Sequence, residues 1–443
     1  MAARRQWRTS AETLETCSAD PLRDDGWIRT HESGHNEGVP LSTTMAAADA
    51  QLLWLSSKIP NDQFLLYAFD GAPNVDAGVT QLRRNVEWCA ELRLRVVDEG
   101  RWRYPRWEPA GIRPEQFVVH QAAPRQECLA ALAGLEPLDA TRMAWRAHVF
   151  PPGTVVVQIS HALGDGPRSA ALAAALLGRR TPVPPVVPAD RGFLPWRAIA
   201  AARAHRRLVR DTESGLVATP CSPRPPLSVN ARPSGSPVLH TALVHRDTLR
   251  KPTVTVGALS AIAEALGSYL ADRGEDTDRL GAEVPMAHGV GINRARNNFR
   301  NVGIDLHPHL GRVARTERIA EQLVAHRRRG EHAATRTSTA AFATMPAVVL
   351  RWGVGQFDPT VRSATVSGHT VVSSVNRGPA DLCFGGCPVT FTAGYPALSP
   401  MMSLTHGVHG IGDTVAVSVH ADPTTVDVED YLQRLSRALG CQQ

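Results

Sequence analysis

Aromatic residues make up only 5% of the 443-residue chain. Nowhere do they interleave with basic residues, so a stacking platform for single strands has no material and no nucleic-acid partner is expected. Cysteine is sparse too: seven, an odd number, with no Cys-x-x-Cys pair. That usage reads as a reducing, intracellular protein rather than a disulfide scaffold. "CFGGC" (383–387) has no second half at zinc spacing and reads as small residues around a Gly-Gly turn. The 17 histidines form no His-Glu-x-x-His motif, so no metal is expected. No Gly-x-Ser-x-Gly elbow is present, which leaves a hydrolase-type acyl-enzyme without support. No run of about 18 apolar residues is read, and no membrane span is expected. The first 20 residues carry charge but no apolar core, so no secretory signal is expected either.

What is present is an ordinary globular balance, 43% hydrophobic and 20% charged. The length exceeds what one core usually serves, so two domains are expected. The net charge of +6 is mild. The clusters "AHRRLVR" (204–210) and "AHRRRG" (325–330) would suit anionic partners such as CoA phosphates or anionic lipid, but a solvated helix face is the simpler reading.

Residues 1–40 are polar and aperiodic and read as a disordered extension. An N-terminal domain follows over 41–180. It opens with a helix through Asp49 to Leu55, for which Ser42, Thr43 or Thr44 offers an N-cap. Strands are expected at 64–69, 116–121, 143–150 and 153–160, the last two joined by a tight "PPG" turn. A helix follows at 167–178. Residues 181–237 are rich in proline and read as a crossover linker around a short basic helix. The second domain, 238–443, has a strong helix at 255–274, further helices at 316–329 and 428–440, and strands near 282–288, 302–308, 369–375, 388–394 and 413–421. "LTHGVHG" (404–410) reads as a loop. Each half is expected to be an α/β sandwich with largely antiparallel strands.

Chemistry concentrates in "VVVQISHALGDG" (155–166). His161 comes as a buried strand ends and a helix is about to begin, an elbow that presents a side chain to a cleft while the backbone stays fixed. A neutral imidazole there could take the proton of an alcohol attacking a thioester and return it to the leaving thiolate. A structural histidine ending a strand is the competing reading. Asp165 could hold the imidazole or pair with Arg294 or Arg296 to fix the loop; the second is preferred. Gly166 permits close backbone approach.

With its ordered blocks, the sequence resembles the bacterial wax ester synthase/diacylglycerol acyltransferase (WS/DGAT) family of the CoA-dependent acyltransferase superfamily. The blocks are "LSTTMAAADAQLLWL", "LEPLDATRMAWRAHVF", "TVVVQISHALGDGPRS", "GAEVPMAHGV…RNNFRNVGIDLHP" and "VVSSVNRGPADLCFGGCPVTFTAGYP". The resemblance implies two chloramphenicol-acetyltransferase-like domains with a tunnel at their interface. It implies acyl transfer from acyl-CoA to diacylglycerol or a long-chain alcohol, with acyl-CoA as a substrate and no cofactor. His161 would be the base, with Asp165 and Gly166 supporting it. Thr255, Asn298 and Ser374 would bind substrate. Three departures from the family pattern stand out: Ser160 replaces the first histidine of a pair, Thr255-Val256 replaces an Asn-Asp pair, and Asn298 is kept without its glycine. The place implied is cytoplasmic, peripheral to the inner membrane or a lipid-droplet surface. The other readings are an acyltransferase for a specialised lipid or polyketide alcohol, and a non-catalytic lipid-binding relative.

Overall fold

The computed structural model describes residues 42–187, 192–288 and 294–441. The expected extension at 1–40 lies outside the described residues. In chain order the first half comprises β1 (Thr43–Thr44), α1 (Ala47–Ser56), β2 (Gln63–Phe69), α2 (Val75–Glu87), β3 (Leu94–Val97), β4 (Arg106–Pro109), β5 (Phe117–Val119), α3 (Arg125–Ala133), β6 (Trp145–Phe150), β7 (Thr154–Ile159) and α4 (Gly166–Leu176). Helix α5 (Leu194–Glu213) stands within the Pro-rich stretch. Then come β8 (Val238–His245), α6 (Arg246–Leu249), α7 (Val254–Ala271), β9 (Gly281–Ala287), β10 (Phe299–Asp305), α8 (Arg312–Glu331), α9 (Ala333–Phe342) and α10 (Ala347–Gln356). The chain ends with β11 (Thr370–Asn376), β12 (Cys383–Phe384), β13 (Cys387–Gly394), β14 (Leu404–Ile411), β15 (Thr414–Ala421) and α11 (Val428–Leu439).

Two six-stranded sheets carry the fold, in the orders β12-β13-β2-β7-β6-β5 and β10-β9-β11-β14-β15-β8. Most pairings are antiparallel; β5–β6, β9–β11 and β11–β14 are parallel. Every residue of β7 is buried, because strands flank it on both sides and helices cover its faces. Trp145 anchors this core, its indole N–H donating to the Leu92 carbonyl at 2.7 Å.

The boundary at 238 is crossed by later chain. Strands β12 and β13 complete the first sheet, where β13 pairs with β2. Ala347, Leu350 and Val354 of α10 pack into the first core rather than the second. Sequence order does not record this. The "CFGGC" turn is a tight hairpin between β12 and β13, with Gly385 and Gly386 both at positive φ.

Three expectations are corrected. Helix α1 begins after Ala46 with no side-chain cap, since Thr43 and Thr44 instead pair with Trp107 and Arg106 as a short strand. Helix α7 is 18 residues long with a mean hydropathy of 1.4, apolar enough to span a membrane by length and composition. Much of it is buried inside the fold, against α8 and α11 and in the second core. "LTHGVHG" is no loop but the central strand β14. Its His406 is satisfied internally, between Thr370 Oγ1 at 2.8 Å and Tyr431 Oη at 2.5 Å, and burial pushes its imidazole down to about 3. Its glycine admits the neighbouring strand, because a Cβ at Gly407 would come within 2.1 Å of the Gly394 carbonyl oxygen.

That contact makes a direct test. Gly407→Ala is expected to destabilise the fold by about 2 kcal/mol, as overpacking between fixed backbones does. A lowered midpoint in urea unfolding would show it; an unchanged midpoint would mean the strands can part without cost.

Candidate active site

Helix α4 starts where β7 turns outward, and the turn is held from within. Asp165 caps the helix through Oδ1, which accepts the Arg168 amide at 3.1 Å. Its Oδ2 accepts the amide of Asn298 at 3.0 Å, and its own N–H donates to the Arg296 carbonyl. Asp165 thus fixes the loop, as preferred from sequence, but through backbone amides and not through an arginine side chain. The Arg296 guanidinium turns elsewhere, to Glu91, and stacks over Trp107 at 4.8 Å. Arg168 reaches the same carboxylate at 3.0 Å. Burial pushes the Glu91 carboxyl up, but the two guanidinium groups outweigh it and hold it below its ordinary range.

His161 is the centre of the arrangement. Its Nδ1 lies 2.8 Å from Asn297 Oδ1. The Asn297 amide nitrogen donates to the His161 carbonyl at 2.8 Å and to Asp49 Oδ1 at 2.9 Å. With both amide donors committed, Oδ1 is the acceptor, so Nδ1 carries the ring proton and Nε2 keeps its lone pair. No described residue hydrogen-bonds Nε2. Asp49, buried in α1, also accepts the backbone amides of Arg296 and Asn297 at 3.0 and 2.9 Å. Burial pushes the Asp49 carboxyl up against the pull of these donors. Burial likewise pushes the His161 imidazole below its ordinary value, opposed by Asn297 and Asp165.

A cavity of about 430 Å³ opens beside this ring. His161, Asp165, Gly166 and Ser374 line it, with Phe299 tilted against the imidazole at 5.6 Å. A Cβ at Gly166 would stand 3.0 Å from Val375 Cγ2, a tight contact that the valine side chain would have to relieve. Thr255 stands behind Ser374, their hydroxyls 2.8 Å apart. Asn298 meets the site through its backbone amide on Asp165. Ser160 is buried beneath the loop, and its amide bonds the Ala144 carbonyl. It is not part of the cavity wall. Asn297 and Asp49 were missed in the sequence. A single aspartate in the otherwise apolar "MAAADAQLLWL" was the available signal.

Arg315 is buried and paired with Glu264 at 2.7 Å. Among the described residues no group of three or more His, Cys, Asp or Glu side chains could hold a metal ion.

Two sandwiches, a strand donated from one half to the other and a histidine at a strand-to-helix elbow define the chloramphenicol-acetyltransferase-like class. Residues 297–441 match the family described as the WS/DGAT C-terminal domain. No curated protein matches the sequence. Among solved structures, the wax ester synthase/diacylglycerol acyltransferase of Marinobacter aquaeolei VT8 is similar over 90% of this chain and 98% of its own, with a TM-score of 0.57 at 18% identity. A double mutant of the starter condensation domain of rhizomide synthetase RzmA, in complex with C8-CoA and Leu-SNAC, is similar over 90% and 93%, with a TM-score of 0.55 at 15% identity. A single mutant of that domain with C8-CoA gives 0.54 over the same shares. The chain has the two-domain fold that the WS/DGAT and condensation proteins share. The resemblance read in the sequence is borne out.

The titration of His161 follows from its surroundings. It should lose its proton below the ordinary histidine value of about 6.5. Asn297→Asp, which sets a carboxylate against Nδ1–H, should raise that value, because the cation gains a partner. A 13C NMR titration of the histidine rings reads both; a higher value in the native protein than in Asn297→Asp would contradict the assignment.

Proposed function

We propose that the protein transfers a fatty acyl group from acyl-CoA to the hydroxyl of a hydrophobic alcohol, diacylglycerol or a long-chain alcohol, with His161 as general base. The observation that carries this reading is the ring geometry: one nitrogen is tied to Asn297, and the other is bare beside a cavity. A purely structural histidine would be bonded on both sides, and this argues against the non-catalytic reading. Nε2 takes the acceptor's proton as its oxygen forms a bond to the thioester carbonyl carbon. The tetrahedral adduct then expels the CoA thiolate, which receives that proton from the imidazolium. The base must be neutral to act, and burial favours the neutral form down into mildly acidic solution. No cofactor is required, because acyl-CoA itself brings the activated acyl group.

Room for a hydrocarbon chain adjoins the site. A second cavity of about 640 Å³, between α1 and α10, shares Ile59 and Asn61 with the first. Leu52, Leu55, Phe342, Met345 and Leu350 give it an apolar wall. A lipid surface, membrane or droplet, would meet α5, where Phe193 and Trp196 stand exposed on a helix carrying Arg197, Arg203, Arg206, Arg207 and Arg210. This is consistent with a cytoplasmic protein working at such a surface.

The test is CoA release from palmitoyl-CoA with dioleoylglycerol and, separately, with hexadecanol. Release should depend on the acceptor and fall by roughly 10²–10⁴-fold in His161→Ala, the usual worth of a general base. Acceptor-dependent release that persists in the folded variant would refute the role of His161.

A further inference from the structure

A second polar group in the same cavity has nothing to do in the reaction as written. Arg377 follows β11 and is 5% exposed. Its guanidinium crosses from the second sheet to the first. There Nη1 bonds Thr392 Oγ1, donates to the Ala393 carbonyl at 2.9 Å and approaches the Leu66 carbonyl at 3.5 Å. The ring of Tyr67 lies 5.4 Å from the guanidinium carbon. These contacts explain one nitrogen of three. Nε is buried without a hydrogen-bond partner. Nη2 makes none among the described residues, and no described Asp or Glu forms an ion pair with Arg377. Burial opposes the charge, yet a guanidinium does not give up its proton in proteins. A buried cation with no counter-charge is unfavourable unless something supplies one.

Arg377 lines the cavity, although its Nε is itself closed off. Gly394 and His409 line the cavity beside Arg377, in the same wall system as His161. A Cβ on Gly394 would fall 2.8 Å from both Arg377 Nη2 and His409 Cε1, so only a glycine lets these two side chains lie side by side there. His409 Nδ1 is also buried without a partner. A carboxylate oxygen meeting Nη2 would form a charge-assisted hydrogen bond and supply the missing counter-charge.

We propose that Arg377, with Gly394 and His409 beside it in the cavity wall, is a subsite for a carboxylate carried by one of the two substrates; assigning it to a substrate rests on the acyl-transfer reading. The group is either on the acceptor, making it a hydroxy acid, or at the far end of the acyl chain of the donor.

Binding is measured first, without chemistry. Calorimetry compares dodecanoate with methyl dodecanoate, which has the same chain and no charge. The native protein should bind the acid at least tenfold more tightly, and Arg377→Gln should abolish that preference. Gly394→Ala, which keeps the cation but crowds Nη2 and His409, should reduce it too, and it serves should the Arg377 variant fail to fold. Equal binding of acid and ester by the native protein would overturn the subsite. Turnover then locates the carboxylate. Preference for 16-hydroxyhexadecanoate over hexadecanol places it on the acceptor; preference for hexadecanedioyl-CoA over palmitoyl-CoA places it on the donor. Transfer to hexadecanol with neither preference would refute the subsite while leaving acyl transfer standing. Carboxylate preference in binding with no CoA release from any pair would refute acyl transfer while leaving the subsite standing.

Discussion

Asp49 is a carboxyl buried in the first helix, and three N–H groups from one short segment converge on it: the amides of Arg296 and Asn297 and the side chain of Asn297. An unpartnered carboxyl at this depth would be strongly unfavourable, so the segment cannot leave without exposing that deficit. Its attachment fixes the Asn297 amide, and the amide in turn fixes the His161 ring through Nδ1 and holds the carbonyl of the same residue. The orientation of His161 is thus set by a residue that lines neither cavity. The chain of three side chains joins α1, the β7–α4 elbow and the segment before β10.

The same segment is held again on its far side. Asp165 accepts from Asn298 while capping α4, and Glu91 binds both Arg168 and Arg296. The elbow and the segment facing it therefore share charges as well as hydrogen bonds. This is the arrangement a general base needs. Its orientation costs nothing at the moment of reaction, because it was settled when the chain folded. Strand β13 works on a larger scale, placing Gly394 from the later chain in the first sheet.

The elbow was legible in the sequence because its cause is local: an alternating apolar strand, a turn and a helix start within a dozen residues. Asp165 and Gly166 were found with His161 for the same reason. Asn297 was not, since its partner His161 is 136 positions away and nothing in "RNNF" distinguishes it from its neighbour Asn298. Asn298 was chosen instead, and its backbone amide meets Asp165. Strand β14 was hidden by its composition, as histidine and glycine are poor strand formers. Only the tertiary setting shows why they are there: Gly407 lets Gly394 approach, and His406 is buried between two hydroxyls. The crossing of α10 and β12–β13 into the first core was equally invisible, because hydrophobic patterning says that a face is buried but not against what.

The account turns on which nitrogen of His161 carries the proton, and 15N NMR of the ring in the native protein at neutral pH reads this directly. The structure requires a protonated Nδ1 and a bare Nε2, with Asp49→Asn loosening that preference toward a mixture of tautomers. A bare Nδ1 with the proton on Nε2 would contradict the Asn297 clamp, and with it the role of His161 as base.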